Sequence, residues 1–199
     1  MYQVFETIKV HQHRVFNLSY HVERMKKTAA FLSFRLPSLH HLEEQILNHH
    51  NGHLQKARIL YNEKDLTIEL QNYSPRHITQ FISIKNDTIL YPYKFTNREQ
   101  FKLPSYLKLP SNEPLFIKNN QFTDSGYANI VFLKNNVWFT PESPLLLGTK
   151  RQYYLDHQLI QLANISLNNF SQFSHIGLIN AMLDLGECVL PISTIQLPQ

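Results

Sequence analysis

A chain of 199 residues, 43% hydrophobic and 17% charged, is long enough for one large or two small domains with a real core and is too apolar to be a disordered chain. Its formal net charge of +4 is mild and comes from scattered Lys and Arg. No basic stripe for nucleic acid appears, and no apolar run approaches the ~20 residues needed to cross a bilayer. The start, Met1-Tyr2-Gln3-Val4-Phe5-Glu6, lacks the basic and apolar regions of a signal peptide. The single cysteine, Cys188, cannot close an internal disulfide, which points to a reducing, cytoplasmic setting.

In chain order, Val4 to Val10 reads as a strand, and His11-Gln12-His13 turns the chain. Ser19 is placed to cap a helix from about Tyr20 to Leu32. A second helix starts at Ser38, with Leu39, Leu42 and Ile46 on one face, and ends at Asn51-Gly52. Ala57, Ile59 and Tyr61, then Leu66, Ile68 and Leu70, alternate on either side of Asn62-Glu63-Lys64-Asp65 and predict a hairpin. Ile78 to Ile84 is a further strand, and Lys85-Asn86-Asp87 turns into Thr88 to Tyr93. Residues Thr96 to Pro114, with three prolines, read as a loop or short helix between two halves. Leu115 to Lys118, Asn129 to Leu133 and Val137 to Thr140 are short strands, with tight turns at Asn119-Asn120 and Asn135-Asn136. A helix runs from Gly148 to about Leu162, and Ile176 to Ile179 and Val189 to Ile192 close the chain as strands.

Four segments carry candidate chemistry. Lys94, in Tyr91-Pro92-Tyr93-Lys94-Phe95-Thr96-Asn97-Arg98, is an ordinary solvated charge by residue type. Its aromatic flanks Tyr91, Tyr93 and Phe95 can desolvate the amine, which favours the free base that condenses with an aldehyde. Asp124, in Thr123-Asp124-Ser125-Gly126-Tyr127-Ala128-Asn129, reads alone as a turn aspartate before a strand. Arg24, in His21-Val22-Glu23-Arg24, reads alone as a surface arginine. Gly148-Thr149-Lys150-Arg151 opens a helix, where free backbone N–H groups suit an anion; no Walker loop accompanies it. Histidines 11, 13, 49, 50 and 53 sit at a turn and near a helix C-terminus. They are read as dipole and turn partners, and no metal site is assigned.

The order and spacing of Phe5-Glu6-Thr7, His21-x-x-Arg24, Lys94-x-x-Asn97-Arg98, Asp124-x-x-x-x-Asn129, Gly148-Thr149-Lys150 and Asn180-Ala181-Met182 resemble the class IV aminotransferases. These are enzymes of pyridoxal 5′-phosphate (PLP) fold type IV that include aminodeoxychorismate lyases and branched-chain and D-amino acid aminotransferases. The resemblance runs from Phe5 to about Pro191. It implies a two-part α/β (α+β) fold: a small N-terminal α/β layer over residues 1–93, a larger, β-rich C-terminal part over 94–199, and PLP at their interface. It further implies Lys94 as the Schiff-base lysine, Asp124 as the partner of the pyridine nitrogen, and Asn129 within that motif. Arg24, Thr149, Lys150 and Asn180 fall at or near the PLP phosphate. Arg58 and Phe5 fall where relatives contact substrate, although Arg58 also reads as an arginine on a wet strand face, Phe5 as core, and Asn180 as a turn cap.

Three departures stand out. Aspartate replaces the family's usual glutamate at 124; the chain reads as N-terminally shortened, its first strand expected at an exposed sheet edge; and the loop after the strand bearing Arg58 is short, with Asn62-Glu63-Lys64-Asp65 where relatives carry an Arg-Gly segment of the substrate pocket. The resemblance implies transamination of an amino acid through Lys94; the Lys-x-x-Asn-Arg and Asn-Ala-Met segments also fit lyase-type elimination of pyruvate from an amino-chorismate. A PLP-binding protein without catalysis is the third reading. Small-molecule substrates and a homodimer are the expected partners.

Overall fold

The computed structural model describes residues 3–198. They group into two compact units: the residues up to Pro75 with Tyr93–Asn97, and Arg76–Pro92 with the residues from Arg98 on. The sequence reading set the division between 93 and 94. The structure sends Arg76–Pro92 to the second unit instead, because the strand beginning at Gln80 pairs in parallel with one beginning at Asn112.

In the first unit, β1 (Val4–His11), β2 (Arg14–Val15), β3 (Gln55–Tyr61) and β4 (Leu66–Asn72) form an antiparallel sheet in the order β2-β1-β3-β4. Burial along β3 alternates residue by residue, the pattern of a strand with one face on a core. Val4, Ile8 and Val10 of β1, Ala57, Ile59 and Tyr61 of β3, Met25 of α1 (Leu18–Phe31) and Leu42 and Ile46 of α2 (Leu42–Leu47) make that core. Both helices depart from the expected caps. Asn17 and His41 enter them in the left-handed conformation, with no side-chain cap bond. Ser19 therefore lies inside α1, and α2 begins after Ser38. α1 thus starts at Leu18, two residues before the expected Tyr20.

The first strand is not the bare edge expected of it. β3 pairs along one side of β1 from Val4 to Val10. On the other side β2 pairs Val10 and His11, and the Phe5 N–H donates to the Lys94 carbonyl at 3.0 Å beside a Val4–Phe95 bridge. The segment carrying Lys94 thus covers the Val4–Phe5 end of the edge expected to be open, and β2 covers the Val10–His11 end.

The second unit holds β5 (Gln80–Lys85), β6 (Asn112–Lys118), β7 (Gln121–Ser125), β8 (Asn129–Lys134), β9 (Val137–Pro141), α3 (Thr149–Asp156), β10 (Gln161–Ala163), β11 (His175–Ile179), β12 (Val189–Pro191) and β13 (Ile195–Gln196). Its main path is β10-β9-β8-β7-β6-β5-β13, with β11 pairing both β8 and β12. Every residue of β6 from Asn112 to Ile117 is buried, as befits a strand covered on both faces. Phe81, Leu115, Ile117, Phe122, Ile130, Phe132, Ile176 and Leu178 form the core around it. The Asn119-Asn120 and Asn135-Asn136 turns both have positive φ at both residues, as two-residue hairpin loops demand. Residues 88–93 form no strand, and α3 stops at Asp156. Gln158, at φ 56, turns the chain so that residues 161–163 run parallel to β9. β7 was missed in the sequence because its polar Thr123, Asp124 and Ser125 are buried by tertiary packing.

Candidate active site

Two groups of side chains carry chemistry, one in each unit. In the first unit, Phe5 and Glu6 are neighbours in β1 and so point to opposite faces of the sheet. The Lys94 ammonium, on the segment beside the edge of β1, lies 4.7 Å from the Phe5 ring centroid, and its charge also reaches His21; the Arg58 guanidinium, on the Phe5 face, lies 5.0 Å from the same centroid. Arg58 reaches this ring because Thr7 is its register partner and Phe5 lies two residues away on the same face. The Arg58 Nε has no hydrogen-bond partner among the described residues. Of the expected aromatic flanks, Tyr93 stacks on Phe31 at 4.4 Å, and Tyr91 turns to Arg98 in the second unit. The ring beside the Lys94 amine is Phe5, far away in sequence.

On the Glu6 face, α1 delivers His21 and Arg24. Arg24 donates from Nε to Glu6 Oε1 at 2.9 Å and from Nη2 to Glu6 Oε2 at 2.5 Å, and His21 Nδ1 donates to Oε2 at 2.6 Å. Glu6 and His21 are fully buried. Burial alone would raise the Glu6 carboxyl. The charge of Arg24 and the hydrogen bond from His21 outweigh it and bring the pKa to about 2. Burial pushes His21 below its usual value, against the pull of Glu6. Arg24 is therefore a guanidinium held in one orientation by a bidentate carboxylate. Sequence reasoning placed Glu6 and His21 in the motifs that carry the resemblance but gave neither a role. The available signal was a carboxylate at the one polar core-face position among Val4, Ile8 and Val10.

In the second unit, Asp124 of β7 stands opposite Asn129 of β8 across the Ser125–Ala128 connection. Asn129 Nδ2 donates to Asp124 Oδ1 at 2.6 Å and to the Leu146 carbonyl at 2.9 Å, and the Leu146 N–H donates to Asp124 Oδ2 at 2.9 Å. Asp124 is thus a buried strand residue. Burial raises its carboxyl to about 7, only partly opposed by these donors and by the nearby Arg151 charge. Arg151 is itself buried, donating to Thr140 Oγ1 and the Pro141 carbonyl.

Gly148 precedes α3 in extended conformation. A Cβ there would fall 1.8 Å from Asn129 Oδ1. Glycine is what lets the start of α3 close onto the Asp124–Asn129 pair. Thr149 and Lys150 follow as the first helical residues, with no acidic residue in the first turn. Four N–H groups at a helix start lack intrahelical partners, and the helix dipole adds a positive field. The Lys150 ammonium points along the helix toward Tyr154 and pairs with Asp184 at 2.5 Å, so what Lys150 offers at the helix start is backbone. Asn180 caps the 180–183 turn, its Oδ1 accepting the Met182 and Leu183 N–H groups, and its Nδ2 reaches the Tyr127 carbonyl at 3.4 Å.

The family model for amino-transferase class IV matches residues 3–100 and 111–195. An uncharacterized protein of Haemophilus influenzae is 30% identical over 189 residues, 92% of this chain and 98% of that one. The crystal structure of a "putative 4-amino-4-deoxychorismate lyase" from Haemophilus somnus matches with a TM-score of 0.83 at 30% identity, over 93% of this chain and 98% of that one. The branched-chain amino acid aminotransferase of Escherichia coli shares the fold at a TM-score of 0.72 and 16% identity, over 98% of this chain and 76% of that one. The chain belongs to the class IV aminotransferase family, a family of PLP-dependent enzymes.

Proposed function

We propose that this enzyme binds PLP and acts at the amine-bearing carbon of an amino-carboxylate, with elimination of pyruvate from a 4-amino-4-deoxychorismate-like substrate as its reaction. The observation that carries the reading is the donor set. An amine and a guanidinium flank one aromatic ring in the first unit, and a buried carboxylate is locked against a helix start in the second. These are the groups that an aldehyde, a substrate carboxylate, a ring nitrogen and a phosphate each require. The cofactor, when bound, supplies an aldehyde and an electron-withdrawing ring.

The chain's own residues do the rest. Lys94 would be the residue that holds the cofactor through its aldehyde, and its amine would be the base that moves the proton at the substrate's amine-bearing carbon. Arg58 takes a substrate carboxylate with donors that Phe5 orients but does not satisfy. Asp124 holds a proton at the ring nitrogen, and Asn129 keeps its carboxylate aimed. The backbone N–H groups of Thr149 and Lys150 would hold the phosphate; Arg24, a guanidinium fixed by Glu6, is the first unit's candidate for an anion. Asn180 shapes the neighbouring turn. The 30% identity to the Haemophilus somnus protein, over nearly the whole of both chains, favours elimination. Amino-acid transamination is the second reading, since the same lysine and carboxylate serve it. We further place the protein as a homodimer in the cytoplasm.

The deciding experiment is an assay of pyruvate release from 4-amino-4-deoxychorismate without any keto acid, run beside one with amino acids and 2-oxoglutarate. Pyruvate release supports elimination; turnover only with the keto acid supports transamination. Borohydride should fix the cofactor on Lys94, and a label on Lys85, Lys102 or Lys108 defeats the assignment.

A further inference from the structure

Arg98 follows Lys94 by four residues and does a different job. The chain leaves the second unit after Pro92 and re-enters it at Arg98, with Lys94 in the five residues between. Both ends of that excursion are tied together within the second unit. Arg98 Nη1 donates to the Tyr91 hydroxyl at 2.9 Å, and its guanidinium lies 5.1 Å from the Tyr91 ring centroid and 4.8 Å from that of Phe101. The two rings meet edge to face at 4.7 Å, and both are buried.

The other arm of the fork, Nη2, donates to the Gly126 carbonyl, inside the Ser125–Ala128 connection between Asp124 and Asn129. Gly126 is itself packed: a Cβ there would fall 2.7 Å from Pro114 Cγ and 2.9 Å from Glu113 Oε1. Its N–H donates to the Pro114 carbonyl at 3.2 Å. One guanidinium therefore fastens the base of the lysine excursion to the loop that sets the Asp124–Asn129 pair.

We propose that Arg98 is a positioning residue of the active site: it fixes where the Lys94 segment begins and ends against the Asp124–Asn129 loop. The proposal rests on the functional reading given above. A planar fork with two directed donors and two stacking faces suits this task, and an ammonium does not. Arg98→Lys keeps the charge but loses the second donor direction and the stacking. Its amide exchange over residues 93–97, measured on the protein as purified, should quicken about tenfold, a loss of about 1.4 kcal/mol of local protection.

In the PLP-loaded enzyme, the pH midpoint of the lysine-bound cofactor's visible band should move in Arg98→Lys. The kcat should fall about tenfold or more while KM holds within a few-fold. Millimolar guanidinium should restore part of the kcat of Arg98→Ala. Wild-type exchange, band midpoint and kcat in Arg98→Lys, whether or not its melting temperature drops, would overturn the proposal. A wild-type protein that never fixes the cofactor on Lys94 would defeat the functional reading alone, and the exchange comparison would still decide the clamp.

Discussion

Asp124 and Glu6 are both buried carboxylates, yet their surroundings move them in opposite directions. Asp124 is neighboured by neutral donors and a more distant arginine, so burial wins and its pKa rises from 3.8 to about 7. A folded-state pKa above the unfolded one contributes stability that is complete below about pH 4 and is lost as pH rises through 7. The penalty above pH 7 is on the order of 4 kcal/mol. Cofactor-free wild-type protein should therefore lose unfolding free energy between pH 4 and 8. Asp124→Asn, although less stable at the start because an amide nitrogen faces the Leu146 or Asn129 donor, should lack this decline; equal slopes in urea titrations of the two proteins would contradict the assignment. Glu6 meets Arg24 and His21 directly, and its pKa falls to about 2. A depressed pKa contributes stability that is present above about 4.5 and is lost as pH falls through 2. Glu6→Gln leaves Arg24 facing a neutral amide and should cost about 3–5 kcal/mol at neutral pH. It should also flatten the acid limb of the stability curve, which denaturant melts from pH 5 to 2 would show.

At the scale of elements, the start of α3 and the β7–β8 pair meet through a single missing methyl group. Gly148→Ala would drive a Cβ into Asn129 Oδ1, so it should destabilise the protein and loosen the donors that aim Asp124. Asn129→Ala removes the obstacle together with two hydrogen bonds. The two changes should be strongly non-additive, with a coupling of about 0.5–3 kcal/mol. A double-mutant cycle on melting free energies measures it, and an additive pair would mean that the helix start shifts freely. The same cycle on PLP affinity tests whether the helix start holds the phosphate.

For the whole molecule, cofactor binding is linked to stability. PLP at about one hundred times its dissociation constant should stabilise the protein by about 2.7 kcal/mol. Lys94→Ala, lacking the covalent bond, should show a smaller gain at equal concentration; the same thermal shift in both proteins would remove Lys94 from the binding site. The homodimer proposal rests on family resemblance, because the edge of β1 that suggested it is covered at both ends within the chain. Sedimentation at micromolar protein should give a two-chain species, and a fully active monomer would exclude it.

Much of the architecture was legible in the residue order. Period-two alternation in β3 and the Asn-Asn hairpins are local patterns, determined by strand geometry and turn sterics; Lys94, Asp124 and Gly148 are marked out by their resemblance to a family's motifs. The sequence could not say that Phe5 is the ring beside Lys94, that Arg24 is oriented by a buried Glu6, or that Gly148 is required by Asn129. It also left β7 unread and extended α3 beyond Asp156. Each of these depends on residues distant in the chain meeting across strands and helices. Burial decides which carboxylate keeps its charge and which polar segment becomes a strand, and burial exists only once the tertiary structure has formed.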